Sequence, residues 1–213
     1  MAPTAELKRL FIVGDVQGCA DELDDLLRAA RLESGRRLCF VGDLINRGPR
    51  SKAVLERAVA EDALVVVGNH EDGLLKGKET DTLQRVRDEL GDELDRWLQW
   101  IVALPTFLRD EWLIVVHAGI APGKRPEGCT RAELTRIRDV DGRPWFDSWR
   151  GPETVVYGHW SVRGKVDLPL VKGLDTGCVY GGELTGLYWP EQRWLGVPAR
   201  RRWFDPLAMK PLW

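Results

Sequence analysis

Five times along this chain a short run of core-type residues ends abruptly on Gly, Asp, Asn or His. The runs are Leu10–Val13 (LFIV), Leu38–Val41 (LCFV), Ala63–Val67 (ALVVV), Leu113–Val116 (LIVV) and Thr154–Tyr157 (TVVY). None alternates apolar with polar residues, so each predicts a strand covered on both faces. Between the first two runs, Leu23, Leu26, Leu27 and Ala30 share one face of a helix predicted over 20–32, and a second helix is predicted over 51–60. Gly14 to Gly42 is 28 residues and Gly42 to Gly68 is 26, near the length of a strand–helix–strand unit. The fold class is therefore α/β, and in such sheets functional groups gather beyond the carboxyl ends of the strands.

The remaining segments fill in the organisation. Residues 71–104 read as mostly helical, with Leu83, Val86, Leu90, Leu94 and Trp97 on a single helix face. After Gly158 the pattern turns to strands over 174–176, 183–189 and 193–197, read as an antiparallel second sheet. No repeat or linker divides the chain, so one domain over 1–213 is expected. A net charge of −2 argues against a nucleic-acid-binding module. No apolar run reaches the ~18 residues of a membrane span, and the N-terminus lacks a signal-peptide core. A cytoplasmic protein without a membrane or stable nucleic-acid partner is the expectation. Cys19, Cys39, Cys129 and Cys178 include no C-x-x-C pair and read as buried thiols.

All three histidines, His70, His117 and His159, follow one of the apolar runs within three residues. Asp15, Asp43 and Asn69 occupy equivalent strand ends. Oxygen ligands mixed with imidazoles are what a two-metal hydrolytic site requires, with one carboxylate bridging two cations about 3.5–4 Å apart. Such a site favours a phosphate, and arginine suits its planar pair of oxygens. Arg47 sits four residues after Asp43.

GDVQG (14–18), GDLINRG (42–48), GNHE (68–71), HAG (117–119) and GHW (158–160) resemble, in that order, the five motifs of calcineurin-like metallophosphoesterases of the phosphoprotein-phosphatase type. With GLDTGCVYGGELTGL at 173–187, the match narrows to symmetrical diadenosine tetraphosphatases and ApaH-like phosphatases. The resemblance implies a four-layered α/β/β/α sandwich and two divalent metal ions that activate water for in-line attack on phosphorus. It assigns Asp15 and Gln17 to the first ion, Asp43 to both, and Asn69, His117 and His159 to the second. His70 becomes the general acid, and Arg47 and Arg138 grip phosphate, with Arg136 the alternative to Arg138. Tyr180 falls where the family places an aromatic near phosphate. The implied substrate is a dinucleoside polyphosphate such as diadenosine tetraphosphate, cleaved to two ADP.

Three departures qualify that picture. Gln17 replaces the family's histidine, makes the first site all-oxygen and favours Mn²⁺, with Mg²⁺, Co²⁺, Fe and Zn²⁺ the alternatives. Asn46 stands where protein phosphatases carry an aspartate that orients the catalytic histidine. Only 42 residues separate His117 from His159, which predicts a reduced cap and an open groove. The open groove keeps a second reading: a broad phosphatase for phosphoproteins, polyphosphate or phosphomonoesters. A metal-bound regulatory protein with little turnover is a third. Trp160 is a candidate for stacking on a nucleobase or for packing, and Lys165 for phosphate contact or a solvated turn.

Overall fold

A computed structural model describes residues 7–207 and 210–211, the last two by backbone alone. The chain begins β1 (Leu10–Val13), α1 (Ala20–Ala30), β2 (Arg37–Phe40), α2 (Ser51–Ala60), β3 (Leu64–Val65), α3 (Asn69–Leu75), α4 (Asp81–Leu90) and α5 (Leu94–Val102). It continues β4 (Phe107–Arg109), β5 (Leu113–Val116), α6 (Arg131–Arg136), β6 (Asp139–Val140), β7 (Arg143–Pro144) and β8 (Thr154–Tyr157). It closes with β9 (Val166–Leu168), β10 (Val171–Gly173), β11 (Glu183–Trp189), β12 (Arg193–Pro198), β13 (Phe204–Asp205) and β14 (Lys210–Pro211).

Two five-stranded sheets result, in the orders β12-β11-β1-β2-β3 and β4-β5-β8-β10-β9. Strands β1, β2 and β3 are parallel, as are β5, β8 and β10. The lack of alternation in the apolar runs has a direct cause. Phe11 and Val13 of β1 face a core shared with α1, α2, α4 and α5, whereas Leu10 and Ile12 face the second sheet. In the second sheet Leu113, Val115 and Val156 face inward. Ile114, Val116, Val155 and Tyr157 face a third core with Leu134, Trp145 and Phe146. The layers are thus helices, sheet, sheet and a thin outer layer. Among the described residues that outer layer carries the six-residue α6, the β6–β7 hairpin and short 3₁₀ turns.

Two sequence expectations change. The hairpin β11–β12 pairs antiparallel to β1 and extends the first sheet instead of forming a second one. The physical reason is that β1 needs a neighbour on its free edge, and Leu187 and Trp189 join the core between the sheets. Residues 174–176 lie outside the named strands; β10 ends at Gly173. The helical stretch over 71–104 is three helices, not one face. Gly91 at φ +51°, ψ −130° takes a conformation that only glycine adopts easily and breaks the line between Leu90 and Trp97.

Candidate metal centre and phosphate cleft

Because each sheet carries three parallel strands, the turns after their carboxyl ends meet at one rim. Both carboxylate oxygens of Asp15, after β1, accept the backbone N–H of His159, after β8, at 3.0 and 3.1 Å. This pair, 144 residues apart in sequence, ties one sheet to the other at the site. Gly158 leaves the room for it, since a Cβ there would lie 2.0 Å from Asp15 Oδ1.

The turn over 42–48 is built from unusual backbone. Gly42, Asp43, Asn46 and Arg47 all have positive φ, at 93°, 49°, 83° and 62°. Left-handed conformation costs most residues roughly 1–2 kcal/mol each, so other bonds must hold this loop. Glu71, fully buried in α3, supplies most of them: its carboxylate accepts N–H groups from Asp43 (2.9 Å), Leu44 (2.8 Å), Ile45 (3.3 Å) and Gly68 (2.9 Å). Ser51 Oγ accepts the Asn46 N–H at 3.0 Å. Gln17 and His159 also have positive φ, at 46° and 67°, so site residues concentrate the strain.

Asp43, His117 and His159 place one ligand atom each within 4.8 Å of one another, all buried. Their outward hydrogen bonds fix which nitrogen is available. His117 Nδ1 lies 2.8 Å from the Val41 carbonyl and must donate to it, which leaves a lone pair on Nε2. That Nε2 is 3.1 Å from Asn69 Oδ1 and 3.4 Å from Asp43 Oδ1. These three atoms converge as a donor set that a divalent cation would satisfy. His159 Nε2 likewise donates to the Arg136 carbonyl at 3.2 Å, leaving Nδ1 for the cluster. Such backing of a ligating imidazole by a carbonyl is the usual support of a metal ligand.

The electrostatics agree. Burial pushes Asp43 up to about 7, and Asp175 also to about 7 with the Asp43 charge adding to it. Asp15 is pushed well above the carboxylate range by burial and then by Asp175 and Asp43. Burial holds His117 down at about 4, so its imidazole is neutral. Clustered carboxylates beside neutral imidazoles form a donor set suited to divalent cations.

Around the centre a cleft of about 580 Å³ is lined by residues including Asn46, Arg47, Asn69, His70, Arg136 and Arg138. A second cleft of about 590 Å³ adjoins it, lined by Arg138, Trp160, Val162, Tyr180 and Pro206 among others. Arg138 belongs to both. Its guanidinium donates to the His159 carbonyl at 3.3 Å. Arg136 is anchored instead to the buried Asp72, at 2.8 Å. Asp72 also holds Arg131 and Lys76, each at 2.9 Å. Arg47 donates to Gln17 Oε1 at 3.1 Å and stacks near the rings of Tyr180 and Phe204, 5.6 and 5.5 Å away.

Several sequence expectations are refined. His70 Nδ1 is oriented by the Ile45 carbonyl at 3.2 Å, while the Asn46 amide oxygen accepts the Arg47 N–H at 2.9 Å. Asn46 therefore is not the partner of His70, because the positive φ of its turn folds its side chain back on its own backbone. Gln17 Oε1 is engaged with Arg47, and only its second lone pair remains for a cation. Trp160 lines the second cleft and has Phe146 6.5 Å behind it, so it packs and borders solvent at once. Lys165 is absent from the linings of both clefts; its Nζ lies 4.3 Å over the Trp194 ring. Glu71, Asp72 and Asp175 carry no role from the motif resemblance, although GNHE and DTGC contain two of them.

This fold and this centre define a metal-dependent phosphoesterase, and residues 8–181 match the calcineurin-like phosphoesterase family, to which the chain belongs. The symmetrical bis(5'-nucleosyl)-tetraphosphatase of Janthinobacterium sp. (strain Marseille) is 32% identical over 252 residues, covering 83% of this chain and 91% of that protein. The enzyme of the same name from Methylococcus capsulatus is also 32% identical, covering 84% and 90%. A crystal structure of a candidate diadenosine tetraphosphatase superimposes with a TM-score of 0.84 at 34% identity, covering 93% of this chain and 97% of the other. Among the described residues no helix is long and apolar enough to cross a membrane.

Proposed function

We propose that this hydrolase cleaves dinucleoside polyphosphates, with diadenosine tetraphosphate giving two ADP. The observation that carries the reading is the pair of adjoining clefts that meet at Arg138 beside the metal-ligand cluster. Each falls in the size range of small-molecule sites, about 300–1,000 Å³. A phosphate chain across the junction would leave a nucleoside to either side. The names of the relatives point to the same substrate class.

In this reading Asp15, Gln17, Asp43, Asn69, His117 and His159 hold two divalent ions, Mn²⁺ first among them because the first set is all-oxygen. Bound divalent ions supply countercharge for phosphate and lower the pKa of water toward ~7. Arg47 and Arg138 grip the phosphate chain through charge-assisted hydrogen bonds. Arg47 is aimed by Gln17 on one side and by the Tyr180 and Phe204 rings on the other. His70, with Nδ1 tied to Ile45, presents Nε2 to protonate the leaving oxygen. Trp160 and Tyr180 border the nucleoside in the second cleft. The enzyme acts as one domain in the cytoplasm, where its free cysteines would stay reduced.

A second reading rests on the thin outer layer over the second sheet, which leaves the clefts open to other phosphoesters. Product analysis with diadenosine tetraphosphate and Mn²⁺ separates the two. Two ADP are expected. AMP plus ATP would keep the substrate class and reverse the register. Cleavage of a chromogenic ester without the dinucleotide would overturn the reading in favour of a general phosphatase.

A further inference from the structure

Outside the Asp43 centre, Cys19, Glu22 and Cys178 form another buried group of ligating side chains, and we propose that they bind a thiophilic divalent cation of the Zn²⁺ kind. The two sulfurs and a Glu22 carboxylate oxygen lie within 4.8 Å of one another. Both thiols are free. Cys19 is the residue that precedes α1 and Glu22 lies in its first turn, while Cys178 opens the 3₁₀ turn after Gly177.

Glu22 makes the cluster more than two neighbouring thiols. Its Oε1 accepts the Arg200 N–H at 3.0 Å and the Trp203 indole N–H at 2.7 Å. Its Oε2 is buried with no hydrogen-bond partner. A buried carboxylate oxygen without a donor is costly, and a cation is the partner that this atom lacks. Two sulfurs and one carboxylate form a softer donor set than the oxygen–imidazole set around Asp43, so the two sites differ in metal preference. Binding displaces two thiol protons to solvent and forms two Zn–S bonds of about 2.3 Å and one Zn–O bond of about 2.0–2.2 Å. No oxidant is involved.

The placement gives occupancy a consequence. Cys19 Sγ donates to the Gln17 carbonyl at 3.9 Å, and Cys178 follows the loop that carries Asp175. A cation drawing the two sulfurs together pulls on both loops, so binding lowers phosphoesterase activity without occupying the Asp43 centre.

The test titrates Cd²⁺, as a spectroscopic stand-in, and then Zn²⁺ into the Mn²⁺-loaded full chain. Thiolate-to-cadmium absorption in the ultraviolet should saturate at one equivalent, with hydrolysis of a chromogenic phosphate ester falling in step. Cys178→Ser should lose the absorption and become at least tenfold less sensitive to Zn²⁺. Glu22→Gln should keep the absorption and bind at least tenfold more weakly. Absence of the absorption at one equivalent, or equal Zn²⁺ inhibition in Cys178→Ser, would each overturn the proposal.

Discussion

The imidazole of His117 is held by the carbonyl of Val41, 2.8 Å from Nδ1, on the strand end that leads into Asp43. One sheet thereby sets the ring orientation of a residue carried by the other. His70 has a related support from Ile45 but belongs to the cleft lining. The two histidines should therefore fail differently. His117→Ala is expected to lose bound metal, whereas His70→Ala keeps its metal and loses about 10²–10⁴ in rate. Metal content by mass spectrometry beside steady-state rates checks this; a metal-depleted His70→Ala protein would contradict it.

Glu71 is the anchor of the strained turn. A glutamine has one acceptor oxygen for four N–H donors and would point its own N–H₂ at two of them. Glu71→Gln should cost about 3 kcal/mol, from lost charge-assisted bonds and donors left without partners. For a chain of this size that corresponds to a fall in Tm of about 6–12 °C. Calorimetry of the metal-free protein would measure it, and an unchanged Tm would show that the turn is held otherwise.

Arg138 and Arg136 occupy one wall of the cleft with different commitments. Arg138→Ala should lower kcat/KM by about 10² with little change in Tm. Arg136→Ala removes one of three cations on Asp72 and should appear mainly as about 1 kcal/mol of lost stability, since its side chain is partly exposed. Equal kinetic losses in both variants would mean that Arg136 also touches substrate.

Gly158 has no room for a methyl group. In Gly158→Ala the new Cβ would meet Asp15 Oδ1 at 2.0 Å and Val41 Cγ2 at 2.7 Å. Displacement of Asp15 should reduce metal affinity by at least tenfold and cost about 1–3 kcal/mol of stability. Isothermal titration with Mn²⁺ tests the first effect, and wild-type affinity in this variant would remove Asp15 from the ligand set.

Much of this was legible in one dimension. Each of the five apolar runs forms or overlaps a strand, because residues buried on two faces cannot alternate. The polar residues after those runs meet at one rim because parallel strands end on the same side. The hairpin β11–β12 was legible as a hairpin, but not its sheet: pairing partners depend on which edge is open, and β1 offered one. The break at Gly91 was obscured by apolar spacing that continues through it.

The sequence by itself determined the α/β class, the order of the motifs and the set of residue types able to bind metal and phosphate, since these follow from local pattern and donor chemistry. Only the tertiary structure decided which atoms face inward. It turned Asn46 away from His70, gave Gln17 to Arg47 and Arg136 to Asp72. It also brought Cys178 to Cys19 across 159 residues of chain. Those choices belong to hydrogen bonds and packing between segments distant in sequence, whose geometry is fixed only when the two sheets close on a common core.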